Sequence, residues 1–334
     1  MKKIIVTGGN GFIGSNLVNF LLSKKFFVIN IDKNKYSNGS YLLNYNKNKN
    51  YRFYKLDINS NKIFNIFLKF KPDAVFNLAA ETHVDRSIET PKDFIHSNIV
   101  GTFNILEQIR KYKKRKKENI RLIHISTDEV FGDLEKNKRS SEYSSYNPSS
   151  PYSASKASSD HLVRAWNHTY NIPTIITNCS NNYGPYQYPE KLIPLTILKA
   201  LKGGPIPIYG DGTQIRDWLY VEDHAEALYQ ILTKGKIGET YNVGGNNEIT
   251  NIEIVGKICD ILNSKIDKKP LGINSFFELI KFVPDRPGHD FRYGIDATKL
   301  KKELGWIPIT NLELGLKKTI DWYIDNQDTI YNQL

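Results

Sequence analysis

The glycine-rich turn near the amino terminus constrains the fold more than any other feature of the chain. Gly8, Gly11 and Gly14 follow a short apolar segment, residues 3–7, and stand where an amphipathic segment, residues 12–23, begins. Glycines at such a junction let the backbone approach a phosphate closely, and the N-terminus of the next helix presents N–H donors to it. The spacing differs from G-x-G-x-x-G, so taken alone it also fits an ordinary tight turn. In this context it predicts a strand, a turn and a helix that bind a dinucleotide.

Short apolar segments alternate with amphipathic helices through the first half of the chain. This alternation predicts an α/β fold with a doubly wound, Rossmann-like parallel sheet. After residue 178, turn signals interrupt the pattern. We therefore predict an NAD-binding domain over residues 1–178 and a smaller α+β substrate domain over 179–334, with a segment near 218–243 returning to the sheet. The predicted strands are 3–7, 27–31, 51–56, 74–78, 122–126 and 174–178, and the predicted helices are 12–23, 63–70, 94–112, 153–170 and a capped helix within 296–306.

Composition and charge argue against several classes of protein. The net charge is +11, and part of it comes from the lysine-rich segment 111–117. That segment could form a nucleic-acid patch, but the absence of an accompanying nucleic-acid motif favours a solvated helix end. No apolar run reaches the ~20 residues of a membrane helix, and two cysteines, Cys179 and Cys259, are too few for a disulfide framework. We expect a cytoplasmic protein that binds neither nucleic acid nor membrane.

Acidic and small residues end the predicted strands where a dinucleotide would lie. Asp32 ends the second strand, where a carboxylate accepts hydrogen bonds from the adenosine ribose. An acid at that position repels a 2′-phosphate and favours NAD over NADP, although Lys33 and Lys35 leave NADP open. The ends of the third and fourth strands are expected to meet the cofactor through Asp57, Ile58, Leu78, Ala79 and Ala80.

Tyr152 and Lys156 are spaced for redox chemistry on an alcohol. Residues four apart lie on one face of a helix. A nearby ammonium lowers the pKa of a phenol, which can then take the proton of an alcohol while a hydride leaves to a nicotinamide. Ser126 and Thr127 stand at the end of the preceding strand, at the sheet edge where such sites lie.

Asp128 and Glu129 directly follow the apolar segment 122–125. Adjacent acids in a loop are usually solvated charges or helix caps. Here they lie where the substrate carbons must pass, and carboxyls in different environments can hold different protonation states. One can then act as a base and the other as an acid, which predicts removal of water after the oxidation. Four histidines lack metal-ligand spacing, so no metal is expected: His83, His124, His161 and His289.

Motifs along nearly the whole chain resemble those of the extended short-chain dehydrogenase/reductase superfamily, and within it the dTDP-glucose 4,6-dehydratase family. The glycine motif, residues 7–14, is typical of the superfamily as a whole. The more specific matches are residues 78–87, 126–130, 150–160, 178–186, 189–194 and 285–290. The segment 133–148 is shorter than in typical members, and Phe131 stands where relatives usually have tyrosine.

The resemblance implies dehydration of dTDP-glucose to dTDP-4-dehydro-6-deoxyglucose. Tyr152, assisted by Lys156, would take the proton of the carbon 4 hydroxyl, which Thr127 positions. Glu129 would then remove the carbon 5 proton, and Asp128 would protonate the departing carbon 6 hydroxyl. The hydride taken from carbon 4 would return to carbon 6, so NAD would be regenerated in each turnover and stay tightly bound.

The resemblance also implies binding residues and a partner. Further cofactor contacts would be Phe12, Ile13, Ser97 and Asn182. Contacts to the nucleotide sugar would be Thr82, Thr127, Asn181, Lys191, Leu192, Pro207, Tyr209, Arg216, Asn251, Asp285, Arg286 and His289. Arg216 and Arg286 suit a diphosphate because a planar guanidinium pairs well with it. The resemblance further implies a homodimer packed through residues 94–112 and 153–170. It also implies a place in deoxysugar biosynthesis for cell-surface polysaccharide.

The alternative functions differ in whether they require the paired acids Asp128 and Glu129. A nucleotide-sugar 4-epimerase shares the fold, NAD, tyrosine and lysine, but it needs no acid–base pair for elimination. A sugar-nucleotide decarboxylase of the same fold should lack the pair. A UDP-sugar 4,6-dehydratase would keep the chemistry and change only the base, so it stays open. A non-catalytic NAD-binding regulator need not keep all four groups.

Overall fold

The computed structural model describes residues 2–34, 47–285 and 287–331. The strands are β1 (Lys3–Thr7), β2 (Phe27–Asp32), β3 (Tyr51–Lys55), β4 (Ala74–Asn77), β5 (Arg121–Thr127), β6 (Thr174–Cys179), β7 (Asn181–Tyr183), β8 (Ile206–Tyr209), β9 (Ile215–Tyr220), β10 (Thr240–Val243), β11 (Glu248–Thr250) and β12 (Ile280–Val283). The α-helices are α1 (Phe12–Ser23), α2 (Ile63–Phe70), α3 (Val84–Glu89), α4 (Pro91–Phe94), α5 (Gly101–Lys116), α6 (Pro151–Tyr170), α7 (Leu192–Leu201), α8 (Val221–Lys234), α9 (Asn251–Lys265), α10 (Thr298–Leu304) and α11 (Leu312–Tyr331).

Seven parallel strands form the central sheet in the order β10-β6-β5-β4-β1-β2-β3. Alternate residues of β1 point to opposite faces, so Ile4 packs with α1 and α8 on one face while Ile5 packs with α2, α5 and α6 on the other. Both faces are therefore buried, as a parallel sheet requires. The prediction of an α/β fold with a doubly wound sheet is confirmed.

The strand order reverses between β1 and β4, which lie side by side although two helices and two strands separate them in the chain. The chain first builds β2 and β3 on one side of β1 and then crosses to the other side. At such a switch point the loops after the two strands turn apart and leave a crevice beyond the carboxyl ends of the strands. The fold thus opens a cleft at the glycine-rich turn that follows β1.

The second half of the chain adds two small sheets, β11-β9-β7 and β12-β8, against which α7, α9 and α11 pack around a separate apolar cluster. The predicted returning segment, 218–243, begins in β9 of the three-stranded sheet and ends in β10 at the edge of the central sheet. The division into domains at residue 178 stays a prediction.

The predicted helix 94–112 is wrong in its first part. The structure places a π-helical segment, Ile95–Val100, between α4 and α5, and it buries Ser97 and Asn98. Wider helical turns of this kind have no distinctive sequence period, and they occur often at functional sites. The helix also continues to Lys116 because lysines are favoured near the carbonyl end of a helix.

The predicted helix within 296–306 is shorter than expected, but its end is where the sequence places it. α10 ends at Leu304, and Gly305 follows with φ +74, a left-handed conformation that glycine adopts without strain. Over the residues that the structure describes, no helix combines the length and the apolar character needed to span a membrane.

Candidate active site

A cavity of about 320 Å³ lies at the carboxyl ends of the central strands. Residues that follow six different strands line it, from Gly8 after β1 to Ser180 after β6. All the predicted cofactor-binding residues within the described part of the chain are in this lining: Gly8, Gly11, Phe12, Ile13, Gly14, Asp32, Lys33, Asp57, Ile58, Leu78, Ala79, Ala80, Ser97, Tyr152, Lys156 and Asn182. Lys35 lies outside the described residues.

The glycine-rich turn packs closely against the segment that follows β4. Gly8 has φ +71, and a Cβ there would lie 2.8 Å from the backbone of Ala79. A larger residue would therefore force β1 and β4 apart. No side chain caps the N-terminus of α1, and its first turn carries no acidic residue. The N–H groups of that turn thus face the cavity without a competing negative charge, which fits a diphosphate.

The contacts of Asp32 and Lys33 favour NAD over NADP. The Asp32 carboxylate accepts hydrogen bonds from the N–H groups of Asn10 at 3.0 Å and Asn34 at 2.7 Å. Burial raises the pKa of Asp32, which these two bonds oppose. The Lys33 amine lies 2.7 Å from Glu81 Oε1. Because this ion pair already neutralises Lys33, its charge is not available to a 2′-phosphate.

The start of α6 places Tyr152 and Lys156 in the cavity wall. Ser150 caps the helix, accepting a hydrogen bond from the N–H of Ser153 at 3.1 Å, and the Ser153 hydroxyl accepts one from the N–H of Ser150. The Thr127 side chain lies close enough to Tyr152 to lower its pKa, against the larger effect of burial. One turn later, the Lys156 amine donates to the carbonyl oxygen of Ile125 at 2.7 Å.

The prediction that Lys156 lowers the pKa of Tyr152 is wrong for the chain by itself. Burial raises the pKa of Tyr152 well above its ordinary value, and the negative charge of Glu129 raises it further. The Lys156 amine is directed to the Ile125 carbonyl instead, and burial lowers its own pKa. Desolvation of the phenol therefore outweighs the nearby ammonium.

Asp128 and Glu129 occupy different environments although they are adjacent. They begin a short 3₁₀ turn, Asp128–Phe131, directly after β5, where the Thr127 hydroxyl accepts a hydrogen bond from the N–H of Glu129 at 3.3 Å. Asp128 is 3% exposed, and its Oδ2 has no hydrogen-bond partner among the described residues. Glu129 is half-buried. Both side chains line the cavity.

The surroundings of Asp128 favour its protonated form. Burial raises the pKa of this carboxyl well above its ordinary value, and the negative charges of Glu129 and Asp217 add to the effect. The guanidinium of Arg216 opposes them without reversing the direction. A proton held on a buried acid beside a second, more exposed carboxylate is the arrangement that general acid–base catalysis needs.

The predicted sugar-nucleotide contacts separate into two groups. Thr82, Asn181 and Lys191 line the cavity, with the Lys191 amine donating to the carbonyl oxygen of Thr82 at 3.2 Å. A second group lies outside that lining: Leu192, Pro207, Tyr209, Arg216, Asn251, Asp285 and His289. Arg286 lies outside the described residues.

Part of the second group forms a cluster of its own. The Asp285 carboxylate lies 2.7 Å from His289 Nδ1 and accepts a hydrogen bond from the Gln214 amide at 3.1 Å. The Tyr209 ring lies edge-on to the His289 ring at 6.5 Å. These contacts bring β8, the segment before β9 and the segment after β12 together.

The side chain of Arg216 forms hydrogen bonds and a ring contact with other residues of the chain. Its guanidinium donates to the carbonyl oxygens of Ile215, Asp290 and Phe291 at 2.8–3.1 Å, and it lies 4.4 Å from the centre of the Tyr293 ring. These contacts hold the segment after β12 against β9. The assignment of Arg216 to a diphosphate stays a prediction.

The cavity is also lined by residues for which no catalytic or binding role was predicted. Arg86 forms an ion pair with Glu190, with Nη2 and Oε2 2.6 Å apart, and His83 Nε2 lies 3.4 Å from the same carboxylate. The three residues stand within motifs 78–87 and 189–194, beside assigned residues. However, a pairing between residues 104 positions apart has no local sequence signal. Among the described residues, no group of histidines, cysteines and acids is placed to hold a metal ion.

Comparisons with known proteins place these features among nucleotide-sugar enzymes. A family model described as GDP-mannose 4,6-dehydratase matches residues 5–319. The dTDP-glucose 4,6-dehydratase of Neisseria meningitidis serogroup B is 54% identical over 342 aligned residues, which cover 100% of this chain and 96% of the relative.

Solved structures agree with that result. The dTDP-glucose 4,6-dehydratase of Bacillus anthracis, in complex with NAD, has a TM-score of 0.88 and 41% identity and covers 100% of both chains. The enzyme of that name from Streptomyces venezuelae, also with NAD bound, has a TM-score of 0.90 and 37% identity, covering 99% of this chain and 100% of the other.

Proposed function

The chain belongs to the dTDP-glucose 4,6-dehydratases, and from that premise we propose how its own residues carry out the reaction. The protein is a hydro-lyase that converts dTDP-glucose to dTDP-4-dehydro-6-deoxyglucose. The observation that carries this function is the pair Asp128 and Glu129, a deeply buried acid with a raised pKa beside a half-buried carboxylate, in one cavity with Tyr152 and Lys156.

The cofactor is NAD, and the residues of the cavity fit it. The glycine turn and the first turn of α1 would hold the diphosphate, and Asp32 would hold the adenosine ribose. When bound, NAD supplies a hydride acceptor and a positive charge beside the sugar. That charge supplies what the chain alone does not, since burial and Glu129 keep Tyr152 protonated without it.

In the oxidation, Tyr152 takes the proton of the carbon 4 hydroxyl as a hydride leaves carbon 4. Tyr152 and Thr127 both line the cavity, so that two hydroxyl groups are available to this oxygen. The Lys156 amine, one helical turn away, adds positive charge beside the phenol. The product of this step is a ketone at carbon 4, which acidifies the hydrogen on carbon 5.

In the elimination, Glu129 removes the carbon 5 proton and Asp128 gives its proton to the departing carbon 6 hydroxyl. Asp128 can donate because burial keeps it protonated, and its Oδ2 has no other partner among the described residues. Glu129 is half-buried and lines the cavity beside Asp128, where it can act as the base. Water leaves, the hydride returns to carbon 6, and Glu129 returns a proton to carbon 5. The proton taken by Tyr152 is then released to solvent and Asp128 takes one up, which restores both groups for the next turnover.

A product assay tests this function directly. Purified protein is incubated in parallel with dTDP-, UDP-, GDP- and CDP-glucose, and the products are weighed by mass spectrometry. We expect loss of one water, fastest with dTDP-glucose, with no net consumption of NAD. An unchanged mass would indicate an epimerase, preference for UDP-glucose would indicate a UDP-sugar dehydratase, and no conversion of any of the four would contradict the enzyme function.

We also propose a homodimer that packs through α5 and α6. Large apolar side chains are exposed along this side of the molecule, among them Ile88, Val100, Phe103 and Tyr170. The rings of Phe103 and Trp166, 5.7 Å apart, join the two helices into one surface. A second copy would cover these groups, because contiguous exposed apolar surface marks interaction sites.

Light scattering after size-exclusion chromatography tests the dimer. Phe103→Lys is expected to convert the dimer to a monomer at micromolar concentration. Leu271→Lys is the matched control, since Leu271 is fully exposed elsewhere in the molecule. A Phe103→Lys protein that stays dimeric would place the interface elsewhere. The predicted cytoplasmic location is tested separately by cell fractionation.

A further inference from the structure

A buried polar network lies behind the cavity wall, and the catalytic steps above leave it without a role. At its centre is Asp160, which is 0% exposed and stands one helical turn after Lys156 on α6. The Asp160 carboxylate accepts hydrogen bonds from Ser126 at 2.8 Å and from the Tyr146 hydroxyl at 2.9 Å, both through Oδ2. Its Oδ1 lies 3.3 Å from Nε2 of the equally buried His124.

The network fixes which nitrogen of His124 carries the proton. The N–H of Ala79 donates to the Thr7 hydroxyl, which therefore donates its own hydrogen to Asn77 Oδ1 at 2.8 Å. The Asn77 amide nitrogen must then be the donor to His124 Nδ1, at 3.1 Å. With Nδ1 as acceptor, a neutral His124 carries its hydrogen on Nε2, the nitrogen that lies 3.3 Å from Asp160 Oδ1.

The charge balance of this interior requires a partner for Lys156. Its side chain is 4% exposed, and the amine donates to an uncharged carbonyl, that of Ile125. A buried ammonium is strongly disfavoured unless an opposite charge compensates it. Burial raises the pKa of the neighbouring Cys179 thiol to about 12, so that group is neutral. The Asp160 carboxylate is the negative charge that faces Lys156 across one turn of the helix.

We propose that Asp160 is the counter-ion that keeps Lys156 protonated inside the protein. It is a positioning residue: His124 orients it, and it acts through Lys156 and does not touch the substrate. The two charges are not in direct contact, but in an interior of low dielectric an ion pair acts across several ångströms. The inference rests on the proposed oxidation step, because that step uses the charge of Lys156.

Other titratable and charged groups around the pair do not substitute for Asp160. Burial lowers the pKa of His124, which is therefore neutral, and burial raises the pKa of Tyr146 above the range in which it ionises. The guanidinium of Arg164 donates to the Tyr146 hydroxyl at 2.7 Å and carries the same sign of charge as Lys156. The groups that face the pair from all the packed elements are Tyr152, Arg164, His124, Tyr146, Cys179 and Ser126.

The pH profile of the oxidation tests the proposal. The parent for this test is Glu129→Gln, in which bound NAD is expected to become reduced and stay reduced, so that a single turnover can be followed by absorbance. Adding Asp160→Asn removes the charge and keeps the shape of the side chain. We expect the alkaline limb of the rate profile to move to lower pH by at least about one unit. The rate of NAD reduction should then be about tenfold below the parent's at mildly alkaline pH and closer to the parent's at acid pH.

Tyr146→Phe in the same parent is the matched control. It removes a hydrogen bond to the same Asp160 oxygen and changes no charge. We expect its profile to keep the parent's shape. If Asp160→Asn lowers the rate equally at every pH, or does not lower it, Asp160 does not hold the charge of Lys156 and the proposal is wrong.

Thermal unfolding of a double-mutant cycle tests the pair without any catalysis. Lys156→Met removes the ammonium that faces the buried Asp160 carboxylate and is expected to lower the melting midpoint. Adding Asp160→Asn to Lys156→Met should raise it by several degrees, whereas Asp160→Asn alone should lower it. Equal losses on both backgrounds would overturn the pairing.

The two tests also separate this inference from the proposed function. If the Glu129→Gln parent never reduces NAD in the presence of dTDP-glucose, the proposed oxidation fails. The melting midpoints of the four proteins in the cycle would still show whether Asp160 and Lys156 compensate each other. If the parent does reduce NAD and the cycle shows no coupling, only the counter-ion proposal fails.

Discussion

The two walls of the cavity differ in how many hydrogen bonds tie their charged groups to the rest of the chain. The helix wall, formed by Tyr152 and Lys156 on α6 with Asp160 behind them, is tied by hydrogen bonds to β5 and the loop before the helix, although Asp160 Oδ1 has no hydrogen-bond partner among the described residues. The turn wall, formed by Asp128 and Glu129, leaves Asp128 Oδ2 without a partner among the described residues. An uncompensated buried acid destabilises a fold, so its presence beside a cavity points to function.

The two walls therefore serve different halves of the reaction. The helix wall is organised before substrate arrives, as oxidation at carbon 4 requires an oriented base. The turn wall holds a proton on Asp128 that only a departing hydroxyl can use. Substitutions on the two walls should therefore separate the oxidation from the elimination.

The largest effect is expected from Tyr152→Phe, on the helix wall. Removing the phenol oxygen removes the group that takes the carbon 4 proton, so product formation should fall by about 10²–10⁴-fold. Bound NAD should also stay oxidised when dTDP-glucose is added, which absorbance shows. Tyr146→Phe, a similar change outside the cavity lining, is the control for folding. Rapid NAD reduction by Tyr152→Phe would remove this tyrosine from the oxidation.

Glu129→Gln, on the turn wall, should separate the two halves most clearly. The amide keeps the shape of the side chain but cannot take the carbon 5 proton, so water loss should slow by about 10²–10³-fold. Bound NAD should still become reduced, because the helix wall is intact. Mass spectrometry and absorbance on the same sample measure both halves. Full dehydration activity in this variant would show that another group is the base.

Asp128→Asn should slow the reaction less than Glu129→Gln does. It should also raise the stability of the fold near neutral pH. An amide cannot protonate the leaving hydroxyl, so water loss should slow by about 10²-fold. The raised pKa of Asp128 means that the unfolded chain ionises at lower pH than the folded one. The parent protein therefore loses stability as the pH rises from the ordinary aspartate value toward the folded value, and the variant does not.

Urea unfolding at two pH values measures that stability difference. Near neutral pH the variant should be the more stable protein, by on the order of 1 kcal/mol for each unit by which the fold raises the pKa. Near pH 4 the two proteins should converge. A variant that is less stable than the parent at neutral pH would mean that Asp128 is ionised and compensated in the fold.

The central sheet was the most predictable part of the fold because local pattern determines it. The bounds of β1 and α1 agree with the prediction at both ends, since each element carries a clear apolar period and a glycine turn separates them. The π-helical segment Ile95–Val100 was not predicted, because its geometry depends on contacts of Asn98 with Glu81 and Ser155. Those contacts join residues far apart in sequence.

The site was predictable in its residue types but not in its electrostatics. The motifs identified Tyr152, Lys156, Asp128 and Glu129, and the structure brings all four to one cavity. The prediction of a lowered pKa for Tyr152 was wrong, because burial raises that pKa and the burial of one side chain depends on the whole fold. The pairing of Lys33 with a glutamate 48 residues away was likewise absent from any local pattern.

The most direct test of the account follows one hydrogen atom through the reaction. dTDP-glucose carrying deuterium at carbon 4 is incubated with the unmodified protein in ordinary water, and the product is analysed by mass spectrometry and NMR. We expect a product lighter than the substrate by one water, with the deuterium in the methyl group at carbon 6. Deuterium that remains at carbon 4, or that is lost to solvent, would contradict a reaction in which both walls act on one sugar in one cavity.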